Sequence, residues 1–397
     1  MKSIIIVNNN MNIGGIQKSL LNLLYEIKND YDVTLLLLNK SGEYITNIPE
    51  EIKVIEGSSY LKLLGMSFRD SKRLGLKYYF IRSVLTVYTR VFNHYLPIKL
   101  LMKTQKRLSE FDYAISFMHS STPESLYGGA NELVLDKINA REKIGFIHCD
   151  FTEYGGNTAY VRALYSKFDK VATCSEGCRD KFILTMPECE NKTYSVRNSN
   201  NYADIMRLAE KNAINYDPDY VNIISVARLS KEKGIERALT AIYKCLSLGY
   251  KIRYHIVGDG SQRKELEKLV EDLKISKSVY FYGNTNNPYR YMKNSDLFLL
   301  PSYHEAAPMV IDEAKCLGIP VLSTKTTSTK EMIEDNDAGW VCENSTSGIL
   351  KSLKSILDSK SNLLKIKDSL LAKNYNNKKS IKQFLCLLKG KQPYGQE

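Results

Sequence analysis

Residues 296–313 read Asp296-Leu297-Phe298-Leu299-Leu300-Pro301-Ser302-Tyr303-His304-Glu305-Ala306-Ala307-Pro308-Met309-Val310-Ile311-Asp312-Glu313. The apolar run before Pro301 is short and unbroken, as expected of a strand buried on both faces. Pro301 ends it, a polar loop follows, and the chain then enters a helix. Glu305 falls in the loop and Glu313 well inside that helix. A strand, a loop and a helix in this order form the repeating unit of a parallel α/β sheet.

The same unit recurs in both directions from here. Strand candidates are 3–8, 32–38, 52–55, 112–117, 143–148, 170–174 and 192–197, then 221–227, 252–258, 279–282, 296–300, 319–323 and 339–342. Helical periodicity fills gaps such as 17–27, 235–248 and 262–273. The series restarts near residue 220, after a stretch from 198 to 220 that is rich in Asn and Asp and whose turn-rich end reads as a linker region. The chain has 397 residues, long for one core. Two doubly wound α/β domains facing each other across a cleft are therefore expected, with ligands at the carboxyl ends of the strands.

Hydrophobic residues make up 43% and charged residues 25%, the balance of a globular protein. No apolar run is long enough to span a bilayer, and the N-terminus reads as a first strand instead of a signal peptide. The eight cysteines show no paired metal spacing, so reduced cytoplasmic thiols are expected. The net charge of +12 is concentrated. Residues 60–107 hold eleven Lys and Arg, Lys72, Arg73, Lys77, Arg82 and Arg90 among them, and one acid, Asp70. Apolar and aromatic residues are interleaved with them. This segment is expected to lie on an anionic membrane surface. No nucleic-acid recognition motif accompanies the charge, so nucleic acid is not an expected partner.

Five motifs carry chemistry. Gly14-Gly15 joins the first strand to the first helix, where backbone can approach an anion closely. Arg228 and Lys233, in Ala227-Arg228-Leu229-Ser230-Lys231-Glu232-Lys233-Gly234, follow a strand and can clamp a diphosphate. Gly258, in Val257-Gly258-Asp259-Gly260, and Gly283-Asn284 are strand-end turns. Glu305 and Glu313 flank Ala306, Ala307, Pro308, Met309 and Val310, a stretch whose free N–H groups, on the residues other than Pro308, stand at a helix N-terminus. His148 ends a strand in the first half. A ligand with phosphates in its middle and hydroxyls at both ends, a nucleotide sugar, suits this set.

The order and positions of these motifs resemble the retaining family 4 glycosyltransferases of GT-B fold. The resemblance covers nearly the whole chain and is sharpest in the second half. Cys174-Ser175-Glu176 and Val196-Arg197-Asn198 also look like that family's segments before its interdomain hinge. Ser199 stands where the family usually has Gly, and Ala306-Ala307 replaces its Gly-Phe or Gly-Leu.

The resemblance implies an acceptor-binding domain at 1–198, with a C-terminal helix of about 377–397 packed back on it. A nucleotide-sugar-binding domain would occupy 199–376. It implies a hexose moved from a nucleotide sugar, UDP-linked by family precedent, to a lipid-linked saccharide in cell-surface polysaccharide synthesis. The expected location is cytoplasmic, on the inner face of the cell membrane. Arg228 and Lys233 would stabilise the departing diphosphate, Glu305 would contact the donor sugar and Glu313 would hold the ribose. Gly15 would admit the β-phosphate, and His148 would touch the sugar. No metal or other cofactor is expected. Asp217-Pro218-Asp219 and Asp335-Asn336-Asp337 read as turns. Two further readings stay open: a GT-B sugar-nucleotide epimerase, and a non-catalytic membrane-associated assembly protein that keeps the fold.

Overall fold

The structure is a computed structural model that describes residues 1–391. The chain divides into two compact units, one of Met1–Ser199 together with residues 377–391, the other of Asn200–Asn376. Of the C-terminal helix expected at about 377–397, residues 392–397 lie outside the described residues.

The first unit is built on seven parallel strands: β1 (Lys2–Asn8), β2 (Tyr31–Leu37), β3 (Lys53–Glu56), β4 (Leu108–Ser116), β5 (Ile138–Ile147), β6 (Lys170–Thr173) and β7 (Thr193–Ser195). Their spatial order is β3-β2-β1-β4-β5-β6-β7. The central strands are buried on both faces over most of their length, so successive side chains enter different cores. Ile4 and Ile6 pack with Leu35, Leu37 and Ile115. Ile5 and Val7 pack with Leu36, Leu38 and Ala114 on the opposite side. The helix Lys378–Lys389 closes one face, burying Phe384, Leu387 and Leu388 beside Tyr194 and Val196. Gln383 accepts from the Arg197 N–H at 3.1 Å, and Lys170 donates to the Leu388 carbonyl at 3.0 Å.

The second unit holds β8 (Val221–Val226), β9 (Ile252–Val257), β10 (Val279–Gly283), β11 (Leu297–Leu300), β12 (Val321–Thr324) and β13 (Gly339–Cys342), ordered β10-β9-β8-β11-β12-β13. All six run parallel. The stretch that decided the fold, β11, is central: Phe298 pairs with Ile224 of β8 on one side and Val321 of β12 on the other. In each sheet the chain order reverses once, between β1 and β4 and between β8 and β11. Loops after those strands leave in opposite directions, which makes their carboxyl ends the natural seat for a ligand.

The basic segment of the first unit forms the helices Phe68–Arg73, Leu76–Val91 and Tyr95–Met102. Lys72, Arg73, Lys77 and Arg90 are exposed there. Arg82 corrects the expectation of surface contact. It is only 7% exposed, donates to the Leu63 carbonyl and lies over the Phe68 ring. The reason is helical phase: residue 82 shares the inward face with Tyr78, Leu85 and Thr89, at steps of three and four. No helix among the described residues is long and apolar enough to cross a membrane.

Candidate functional site

The loop after β8 runs from Ala227 to Gly234 and is pinned by its neighbours. Ala227 N–H donates to the Val257 carbonyl at 3.1 Å, and Leu229 N–H to the Asp259 carbonyl at 3.0 Å. Gly258 and Gly260 make this approach possible, since a Cβ at either would overlap the carbonyl oxygen of Ala227 or Leu229. Gly258 also sits at φ +135°, where side chains are strained. The same loop is tied to the one after β11. Tyr303 N–H donates to the Glu232 carbonyl at 2.8 Å, and Gly234 packs on the Pro301 carbonyl.

This knitting sets a pair of opposite charges face to face. The Lys233 Nζ donates to Glu305 Oε1 at 2.7 Å, and Ser302 Oγ donates to the same oxygen at 2.7 Å. The two side chains are 24% and 10% exposed, so the pair is largely sheltered from water. Arg228 stands exposed on the same loop, with no ion-pair partner among the described residues. Beyond Glu305 the helix Met309–Cys316 begins at Pro308, and no side chain caps it. Ile311 N–H turns back to the Pro308 carbonyl at 3.1 Å, and the N–H groups of Met309 and Val310 are left for an anion. Glu313 is buried within that helix. Two cations, two carboxylates and a helix N-terminus gather on adjacent strands, a set suited to a diphosphate with hydroxylated groups at its ends. Gly283 turns with φ +72° and accepts from the Gly258 N–H at 2.8 Å, while Asn284 beside it is exposed. The glycine at 258 is therefore required by backbone packing.

In the first unit, Gly14 precedes the helix Gly15–Ile27, and no side chain caps that helix. A Cβ at Gly15 would meet nothing within 4 Å, so the space over the loop is open. Asn8, Asn9 and Asn10 shape the approach from within: Asn9 donates to the Leu64 and Gly128 carbonyls, Asn10 to the Gly65 carbonyl and the Tyr127 hydroxyl. His148 follows β5, its ring packed against Phe117 and Phe146 with centroids 4.9 and 5.7 Å away. Burial, then neighbouring His119, push its imidazole down to about 3, and burial takes His119 down to about 4. Both are neutral at physiological pH. Among the described residues, His148 Nε2, His119 Nδ1 and the Tyr154 hydroxyl are buried without a hydrogen-bond partner. Each could pair with a ligand hydroxyl, and a buried polar group left without any partner costs about 1–3 kcal/mol.

His119 and Tyr154 escaped the reading of the sequence. A signal existed: Phe117-Met118-His119 repeats as Phe146-Ile147-His148, and Ser116 pairs with Gly145 just before. The two imidazoles thus leave adjacent strands at the same level. The structure brings Lys233 and Glu305 together in the second unit, and His148 and His119 in the first. Asp217-Pro218-Asp219 lies in a turn, with Asp217 paired to Arg253 at 3.0 Å, whereas Asp335 and Asn336 belong to the short 3-10 helix Glu334–Asn336, which Asp337 ends at a left-handed φ of +50°. Among the described residues no group of three metal-ligating side chains converges.

The buried imidazoles fix how stability varies with pH. His119, His148 and His255 ordinarily titrate near 6.5 and here at about 4, 3 and 4. As pH falls below 6.5, the unfolded chain takes up protons that the fold refuses. Their stabilisation is whole above 6.5 and drains on the way to 4. Glu132, pushed by burial from 4.5 to about 7, works the other way, and its contribution is lost as pH rises through 7. Three imidazoles outweigh one carboxyl at about 1.4 kcal/mol per pH unit each. Denaturant midpoints should therefore fall steadily from neutral pH towards about pH 5; midpoints that rise over this window would contradict the burial of these rings.

Residues 206–379 match the family described as glycosyl transferases group 1. An uncharacterised glycosyltransferase of Haemophilus influenzae is 28% identical over 57% of this chain and 65% of its own. The O-antigen biosynthesis glycosyltransferase WclY of Escherichia coli is 28% identical over 42% of this chain and 46% of its own. The chain thus spans less than two thirds of the length of these relatives. A Campylobacter jejuni protein is 24% identical over 92% of this chain and 90% of its own. Its name is N-acetylgalactosamine-N,N'-diacetylbacillosaminyl-diphospho-undecaprenol 4-alpha-N-acetylgalactosaminyltransferase. Among solved structures, Anabaena HepE in complex with UDP-glucose superposes with a TM-score of 0.67 over 98% of both chains, at 15% identity. The lipopolysaccharide outer core galactosyltransferase WaaB does so at 0.63, over 98% of this chain and 99% of its own, at 16% identity. The architecture these structures share with this chain is the GT-B fold.

Proposed function

We propose that the chain, whose residues 206–379 match the glycosyl transferases group 1 family, is a retaining, metal-independent glycosyltransferase. It moves a hexose from a nucleotide sugar, with UDP as carrier, to a lipid-linked saccharide during cell-surface polysaccharide synthesis. The observation that carries this reading is the Lys233–Glu305 pair at 2.7 Å, held between two strand-end loops beside an uncapped helix. The UDP-glucose in the HepE complex and the lipid diphosphate in the Campylobacter protein's name support donor and acceptor classes respectively.

In this reaction the bond from the anomeric carbon to the β-phosphate oxygen breaks, and negative charge gathers on the leaving diphosphate. Lys233 and Arg228 stabilise that charge more in the transition state than before it. Glu305 and Ser302 keep the Lys233 ammonium aimed, so little reorganisation is needed when charge appears. The acceptor oxygen bonds to the anomeric carbon on the face that the phosphate leaves. Its proton passes to the departing phosphate, and the configuration is retained. Glu313 holds the ribose, and the first N–H groups of the helix Met309–Cys316 meet the phosphates. Gly15 admits the β-phosphate, and His148 and His119 bind sugar hydroxyls as neutral imidazoles.

Purified protein should turn over a UDP-hexose only when a lipid-linked saccharide is present, and the product linkage should keep the donor's anomeric configuration by NMR. EDTA should leave the rate unchanged. A folded sample that neither binds nor consumes any nucleotide sugar would sink the proposal. Product formed from donor alone would favour epimerisation, and activity lost to EDTA and restored by a divalent ion would remove the metal-free clause.

A further inference from the structure

The helix Leu76–Val91 is turned the wrong way round for a water-facing element. Towards the protein it buries Arg82, Thr86 and Thr89. Towards solvent it presents Leu76, Phe80, Val84, Val87 and Val91, each 50–78% exposed. At 100° per residue these five fall within an arc of roughly 80°, a continuous apolar stripe along a helix about 24 Å long. A surface helix normally sends such a stripe to the core and its polar face to water. Here the polar groups have been given interior work: Arg82 bonds the Leu63 carbonyl and Thr89 the Leu85 carbonyl. The apolar face is therefore left uncovered by the described residues, and Phe92, 67% exposed, extends it past the helix end.

Charge identifies what covers it. Lys77 flanks the stripe on one side and Arg90 on the other, both exposed. The surrounding segment 60–107 carries eleven basic residues against one acid. A second copy of the chain docking through this face would bring two basic rims together, which is unfavourable. A sheet of anionic headgroups over an apolar interior complements both features at once. We infer that the helix Leu76–Val91 lies in the plane of an anionic phospholipid surface, with Leu76, Phe80, Val84, Val87 and Val91 below the headgroups and Lys77 and Arg90 among them. The inference is independent of the transfer reaction: vesicle binding by a chain that turns over no donor would leave it standing.

The test is sedimentation of the full chain with vesicles. It should pellet with equimolar phosphatidylcholine and phosphatidylglycerol and remain in solution with phosphatidylcholine alone. The pair Phe80→Ser and Val87→Ser should lower partitioning by roughly 100-fold. The pair Lys77→Gln and Arg90→Gln should lower it by about 30-fold and flatten its dependence on salt. All four side chains are exposed, and circular dichroism checks that the variants stay folded. Should the serine pair unfold the chain, the charge pair decides alone. Failure to pellet with anionic vesicles, or variants that bind as the parent does, would overturn the inference. So would a dimer, seen by light scattering, that dissociates in either variant, because the stripe would then belong to self-association.

Discussion

Lys233→Ala should lower kcat by roughly 10²–10³-fold, the usual loss when one preorganised charge is taken from a transition state. The ion pair makes this substitution informative in a second way. With the ammonium gone, Glu305 keeps the Ser302 hydroxyl as its hydrogen-bond partner among the described residues, and its negative charge stays in a sheltered position. The deletion therefore removes an attraction for the diphosphate and uncovers a repulsion. Arg228→Ala should lower kcat to a similar degree with little effect on the melting temperature, since Arg228 is exposed and forms no ion pair among the described residues. The double variant Lys233→Ala with Glu305→Gln separates the two effects. If repulsion by Glu305 is part of the loss, the double variant recovers some rate over Lys233→Ala. Steady-state kinetics with a UDP-sugar check all three, and a near-normal rate for Lys233→Ala would remove it from the mechanism.

Gly258→Ala should cost about 4 kcal/mol of stability, read as a fall in the denaturant midpoint, because two penalties coincide. The new Cβ would overlap the Ala227 carbonyl, which is backbone and pinned by the Val257 hydrogen bond, and φ at +135° strains any side chain. Gly15→Ala should behave in the opposite manner. Nothing lies within 4 Å of the added methyl, so stability should hold while KM for the donor rises. Two glycines that look alike in sequence thus serve different ends, one the fold and the other the ligand. A large loss of stability in Gly15→Ala would reverse that assignment.

Much of the architecture could be read from the chain because parallel strands announce themselves. Each of the thirteen expected strands overlaps an observed one, since runs such as Ile4-Ile5-Ile6-Val7 and Leu297-Phe298-Leu299-Leu300 must be buried on both faces. Boundaries slipped where strands run on into exposed polar sequence. β5 begins at Ile138, five residues before expectation, and its early part includes exposed Asn139 and Arg141. The second-unit motifs were legible because charge and glycine stand together at strand ends, as at Arg228, Lys233 and Gly258. The Lys233–Glu305 pairing was not, because residues 72 apart meet only through strand order. His119 was passed over since a lone histidine carries no period; only the register of β4 on β5 sets it beside His148. Arg82 was misplaced because composition counts charge without regard to helical phase.

Arg82 has a mechanical consequence. Its guanidinium grips the Leu63 carbonyl, the next two carbonyls, of Leu64 and Gly65, receive Asn9 and Asn10, and the chain from those asparagines leads straight to Gly14-Gly15. One strut of three consecutive peptide groups therefore spans from the outermost helix to the turn that opens helix Gly15–Ile27. Were surface binding by the helix Leu76–Val91 and ligand binding at the turn coupled through this strut, each would change the affinity of the other by the same factor.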